Sequence, residues 1–189
     1  MNNIEERILK DGKIIDNDII KVDSFLNHQI DLKFLREYAE ATKRAFEGVR
    51  VDRVLTIETS GVAVACAVAE AFGDVPLVFA KKSKSKIVDG NVYKTLVRSF
   101  TRGINAEVTV AKQYLNPGEN VLIVDDFLAE GNAAVGMVDL CHQANANPVG
   151  VAVVIEKLFQ GGRERLKEAG IAVFSGACIK AFKDNKPVF

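Results

Sequence analysis

From Asp31 to Phe46, Leu32, Leu35, Tyr38, Ala39, Thr42 and Phe46 recur at the spacing of one helix face, and Gly48 closes the run. The pattern then changes. "VDRVLTIE" (51–58) is a β-branched run that ends at "TSG", and "VAVACAVAEAF" after it is apolar almost throughout, as a buried helix would be. "VPLVFA" (75–80) is a second strand, stopped by lysines, so the three pieces form a strand–helix–strand unit with a helical crossover. Residues 83–105 are polar, carry Asp89-Gly90-Asn91 as a turn signal and alternate only briefly in "VYKTLVRSF". A weakly patterned insertion of that length predicts a lid or mobile loop. "NVLIVDD" (120–126) is a further strand, followed by a helix from Asn132 to Ala144. A strand "PVGVAVVIEK" (148–157), a short helix around "GRERLKEAG" and a strand "IAVFSG" complete the order. This alternation predicts an α/β fold with a mainly parallel sheet flanked by helices.

Length and composition narrow the function classes. A chain of 189 residues, 48% hydrophobic, fits one domain (1–189) with a sizeable core. Its 25 basic and 25 acidic residues cancel, which argues against a nucleic-acid or membrane surface; the basic run "KKSKSK" (81–86) is local. Cys66, Cys141 and Cys178 are far apart and lack Cys-x-x-Cys spacing, so they are read as small buried hydrophobes rather than a disulfide framework or zinc site. The N-terminus is charged and no run approaches the roughly 18 apolar residues of a spanning helix. A cytoplasmic protein is expected.

The candidate chemistry lies in "VLIVDDFLAEGNAAVGMV" (121–138). Adjacent carboxylates have no place inside a buried strand, so Asp125 and Asp126 are expected at its end, on an edge that water or a ligand can reach. "LAEGNA" then keeps side chains small before a helix whose first N–H groups favour a phosphate, although an ordinary strand-to-helix turn with Gly131 at positive φ explains the loop equally well. Gly131 to Val138 lacks the lysine and hydroxyl of a P-loop, and no G-x-G-x-x-G occurs. Acids beside a phosphate loop need hydroxyls or a divalent cation, and a sugar phosphate offers both.

The apolar strand, two acids and a small glycine-containing loop resemble the ribose-5-phosphate motif of the type I phosphoribosyltransferases. "VDSFLNHQID" (22–31), "IETSG" (57–61), "FAKK" (79–82) and "VVIEKLFQGGR" (153–163) extend the resemblance over nearly the whole chain. It implies the fold of that family, with a flexible lid (83–105) and a small hood from residues 1–30 and the C-terminal segment. It implies transfer of the 5-phosphoribosyl group from phosphoribosyl pyrophosphate to N9 of xanthine, with Mg²⁺ bound alongside, in a homodimer. Hypoxanthine or guanine is the alternative base. A phosphoribosyl pyrophosphate-sensing regulator is disfavoured by the zero net charge and the short segment before the first core strand.

By the same resemblance Asp125 and Asp126 are catalytic and address the ribose hydroxyls. Ala129, Glu130, Gly131, Asn132 and Ala133 wrap the 5-phosphate. Glu58, Thr59, Ser60 and Gly61 form the pyrophosphate loop, with Thr59 or Ser60 also able to cap the following helix, and Lys81 and Lys82 supply cations. Ile20, Asn27 and Lys157 meet the base, Lys157 donating to the exocyclic oxygen O6. The loop departs from the common family pattern, since hydroxyl side chains are replaced and Ala129 stands where related enzymes carry an aspartate near N7.

Overall fold

The computed structural model describes residues 1–82, 91–98 and 105–189. Helix α1 (Asn3–Asp11) precedes a hairpin of β1 (Lys13–Ile15) and β2 (Ile19–Lys21), and α2 (Leu32–Ala45) follows. Strand β3 (Arg53–Ile57), α3 (Gly61–Ala71) and β4 (Leu77–Ala80) form the predicted crossover unit. Then come β5 (Val92–Arg98), β6 (Asn105–Ala111), β7 (Asn120–Leu128), α4 (Asn132–Gln143), β8 (Asn147–Lys157), α5 (Gly162–Glu168) and β9 (Val173–Ile179). A last hairpin, β10 (Ala181–Lys183) and β11 (Lys186–Val188), ends the chain.

The centre is a five-stranded sheet in the order β4-β3-β7-β8-β9, with every pairing parallel. Alternation along each strand splits the core in two. Val54, Leu122, Val124, Ala152 and Val154 pack with α1, α2 and α3. Leu55, Ile57, Val121, Ile123, Val151 and Val153 pack with α4, Leu166 of α5 and the β5–β6 hairpin. The mainly parallel sheet flanked by helices is therefore as expected. Parallel strands direct all their carboxyl ends to one edge, where the βα connections converge.

Three expectations need correction, and one helix was not foreseen. Val92 to Arg98 is not weakly patterned insertion: it pairs residue for residue with Asn105 to Ala111, and Val97, Val108 and Val110 bury against the α4 side of the core. The remainder of the expected lid, 83–90 and 99–104, lies outside the described residues. Strand β7 also runs past its two acids, because pairing with β8 continues through Phe127↔Ile155 and Leu128↔Glu156. Cys141 is buried but Cys66 is exposed, since α3 is apolar all round while only one side of it meets the sheet. Finally, α1 was unforeseen, although its capping box (Asn2 with Glu5) is legible in the sequence.

Candidate active site

Asp125 and Asp126 occupy the carboxyl edge of the central strand. They are covered rather than open, at 7% and 8% exposure. Asp125 Oδ1 accepts from the Asp126 N–H at 3.0 Å, and Asp126 Oδ1 from the Phe127 N–H at 3.0 Å. Burial, and then the neighbouring Asp126 carboxylate, hold the Asp125 carboxyl well above the usual carboxylate range, while Lys82 draws it back down. Gly61 is required beside it: a Cβ there would come within 2.4 Å of Thr56 Oγ1 and 2.6 Å of Asp125 Oδ1. The first residue of α3 thus rests against the acid of the neighbouring strand.

The helix starts differ according to their place in the fold. α1 is capped by Asn2, and α2 by Asp31, whose carboxylate accepts from the N–H groups of Lys33 and Phe34. At the carboxyl edge, α3 begins at Ser60 and α4 at Gly131 (φ 79°), and neither residue makes a side-chain cap bond. Capping of α3 by Ser60 is therefore not observed. Two helix N-termini with backbone N–H groups lacking a side-chain cap flank the pair of carboxylates, and both favour anions. Of the loop side chains, Asn132 spends its amide locally, donating to Glu130 Oε2 at 2.9 Å and accepting from Arg165 at 2.7 Å.

The turn after β3 carries Glu58, which follows Ile57 and is joined to Thr59 by a cis peptide. Glu58 Oε1 accepts from the Lys82 N–H at 2.6 Å, tying this turn to the end of β4. The structure brings Lys82 into electrostatic reach of Asp125. Lys81 Nζ lies 5.9 Å from the Phe79 ring. Both lysines are exposed.

Lys157, at the end of β8, is 7% exposed and donates to the carbonyl of Asp18 in the β1–β2 turn at 2.9 Å. Its Nζ lies 5.6 Å from the Phe182 ring of β10, and burial lowers its pKa. The two terminal hairpins meet at their tips, where Asn17 and Asn185 exchange backbone-to-side-chain bonds of 3.1 and 2.7 Å. Ile20 is buried in the same hairpin as Asp18, while Asn27 is exposed at the end of a single helical turn, Asp23–Asn27.

Sequence reasoning missed three contributors here. Phe182 and half-exposed Phe159 pack edge to face at 5.7 Å beside Lys157, and an aromatic pair near a terminus carries no distinguishing pattern. Glu156, 1% exposed, is neutralised by Arg163, which reaches both its oxygens, with Ser175 donating as well. Its signal was the "EK" dipeptide itself, because a second charge in a core strand needs a buried partner.

A divalent cation is testable against the donor set. Among the described residues no three His, Cys, Asp or Glu side chains converge as a metal cluster. Asp125 and Asp126 supply hard oxygen donors suited to Mg²⁺, but too few to hold it without oxygens from a ligand. A cation arriving with its substrate fits this arrangement.

Comparison with known proteins bears on the whole chain. Residues 21–182 match the family model described as the phosphoribosyl transferase domain. The xanthine phosphoribosyltransferase 1 of Clostridium perfringens is 50% identical over 189 residues, covering 100% of both chains. The xanthine phosphoribosyltransferase of Clostridioides difficile is 51% identical over 188 residues, covering 100% of this chain and 98% of that one. Among solved structures, an adenine phosphoribosyltransferase of Giardia lamblia complexed with 9-deazaadenine superposes with a TM-score of 0.78 at 22% identity, over 94% of this chain and 98% of that one. That last likeness is one of fold.

Proposed function

The chain belongs to the phosphoribosyl transferase domain family, and from that premise we propose that it transfers the 5-phosphoribosyl group of phosphoribosyl pyrophosphate to N9 of xanthine. The bond from the anomeric carbon to pyrophosphate breaks with its electron pair leaving on pyrophosphate; the bond to N9 forms, and the N9 proton is lost. Xanthosine 5′-monophosphate is the other product. The observation that carries this reading is the pair of helix starts without side-chain caps, α3 and α4, on either side of the buried Asp125 and Asp126. Two anion sites separated by carboxylates suit a sugar with a phosphate at each end and hydroxyls between.

In this reading the backbone of Ala129 to Ala133 takes the 5-phosphate, and Glu58 to Gly61 take the pyrophosphate with Lys82. Asp125 and Asp126 accept from the ribose hydroxyls. They are also the residues that would hold Mg²⁺ together with ligand oxygens, where it offsets charge building on the departing pyrophosphate. The terminal hairpins form a hood over the base, with Ile20 and Asn27 contributing from the first, Phe159 and Phe182 lining its aromatic side, and Lys157 donating to O6. A lid drawn from residues 83–105, as the family resemblance implies, would exclude water from the reacting carbon. A homodimer that brings Lys81 to a neighbouring site, and a cytoplasmic setting, complete the proposal. The exposed Phe79 on edge strand β4 supports such pairing, and no described helix is long and apolar enough to cross a membrane.

A purine panel assayed for pyrophosphate release with phosphoribosyl pyrophosphate and Mg²⁺ tests the function. Xanthine is expected to lead, and its kcat/KM to rise with pH through ionisation of the free base, because Ala129 provides no carboxylate near N7. Release with hypoxanthine or guanine as fast as with xanthine would overturn the choice of base. No release with any purine would overturn the reaction.

A further inference from the structure

A phosphate site made of backbone N–H groups works only if the loop that carries them is held still. The 129–133 loop has little means of holding itself: Gly131 is left-handed, caps α4 with no side chain, and the Asn132 amide is already engaged. The constraint comes from α5. Gly162 N–H donates to Ala129 O at 3.0 Å, and Arg165 Nη1 donates to Glu130 O at 2.6 Å and to Asn132 Oδ1 at 2.7 Å. The two backbones touch. A Cβ on Gly162 would lie 2.4 Å from Ala129 O and 2.9 Å from Gly131 N, and one on Gly131 would lie 3.0 Å from Gly162 Cα.

These contacts fix direction as well as place. A trans peptide holds the carbonyl of one residue and the N–H of the next in one plane, pointing opposite ways. Turning the Ala129 and Glu130 carbonyls toward α5 therefore turns the Glu130 and Gly131 N–H groups away from it. α5 is itself anchored, since Arg163 binds Glu156 at the end of β8 and donates to the Val173 carbonyl at 3.2 Å. Arg165 also sets a positive charge against a loop that carries the Glu130 carboxylate.

We propose that Gly162 and Arg165 are positioning residues for the 5-phosphate: they clamp the carbonyl side of the 129–133 loop so that its N–H side is presented to the ligand. The clamp takes over the ordering role that hydroxyl side chains within the loop would otherwise share. It rests on the assignment of that loop to the 5-phosphate.

The test separates the two anion sites by titrating the Mg²⁺-supplemented enzyme with ribose 5-phosphate and, separately, with inorganic pyrophosphate. Arg165→Met keeps the apolar stem and removes the guanidinium. It should weaken ribose 5-phosphate by about 10-fold, raise the KM for phosphoribosyl pyrophosphate to match, and leave pyrophosphate affinity and the KM for xanthine within about 2-fold. Arg165→Lys should recover part of the loss, and Gly162→Ala should exceed it. Arg165 is exposed, so Arg165→Met folds even where Gly162→Ala does not. Wild-type affinity for ribose 5-phosphate in Arg165→Met, or equal weakening of both ligands, would overturn the clamp while leaving the reaction standing. A wild-type enzyme that binds pyrophosphate but not ribose 5-phosphate would overturn the loop assignment, and the clamp with it.

Discussion

The two ends of the central sheet hold carboxylates under opposite conditions. At the amino end, Arg53 of β3 grips Glu119 with two bonds of 2.7 Å, and this pairing holds the Glu119 carboxyl down at about 2. Asp52 beside it accepts from the Asn120 N–H at 3.0 Å and from Arg50, and its pKa is lowered too. At the carboxyl end Asp125 and Asp126 stand side by side, among the described residues with no cation in comparable contact, and the Asp125 pKa is raised by burial. One end satisfies its charges and stabilises the fold, whereas the other keeps a costly arrangement that the proposed substrate would relieve. Conformity to ordinary folding rules therefore marks the structural end, and departure from them marks the working end.

Substitution of the acids should break the comparison most. Asp125→Asn and Asp126→Asn should each lower kcat/KM by about 100-fold or more, the scale of losing one preorganised transition-state contact. Asp125→Asn should at the same time raise the melting temperature. A raised pKa in the folded state means that the wild type loses stability as pH rises above about 4, and the amide does not. The gain should widen as pH rises from about 4 toward the raised folded pKa and then level off, at roughly 2–4 °C per kcal/mol for a chain of this length. A melting curve in which Asp125→Asn is less stable than wild type at pH 8 would show the acid to be structural.

Lys157→Ala belongs to the same end but to one substrate. Loss of a charge-assisted bond of about 1.5–3 kcal/mol should raise the KM for xanthine by roughly 10- to 100-fold while the KM for phosphoribosyl pyrophosphate stays put. Because Lys157 also ties β8 to the β1–β2 turn through Asp18, steady-state kinetics need a melting curve beside them. Equal loss of affinity for both substrates would point to a disordered hood.

At the opposite end the smallest effect is expected, and only on stability. Glu119→Gln should cost about 1 kcal/mol at neutral pH, since the pair is partly open to solvent. With its folded pKa lowered from 4.5 to about 2, the Glu119 contribution is present above 4.5 and disappears as pH falls toward 2. The gap between variant and wild type should close over that window with turnover at neutral pH unchanged. An effect on kcat would mean that the two ends are coupled.

How much of this was legible depended on the kind of signal. The core strands and α2, α3 and α4 were readable because each repeats its period over several turns or pleats. The strand-to-helix loop proposed for the 5-phosphate was readable as a loop because apolar strand, paired acids and glycine stand within a few consecutive residues. The β5–β6 pairing was obscured by polar residues on the exposed side of "VYKTLVR", and α1 by its charge, despite the Asn2–Glu5 capping box. Glu156 and Arg163 gave no hint of each other, as seven residues and a turn separate them.

By itself the sequence determined the local facts: which segments form strands and helices, that acids follow an apolar run, and that no side chain at Gly131 can cap α4. Those properties belong to neighbouring residues and survive in any arrangement of the chain. Only the tertiary structure decided that Asp125 would be buried against Gly61, that Lys82 would approach it, and that α5 would seize the carbonyls of a loop more than thirty residues earlier. The strength of a charge depends on burial and on what lies across the edge of the sheet, and the aim of a peptide N–H depends on what holds the carbonyl behind it. Contacts distant in sequence set both.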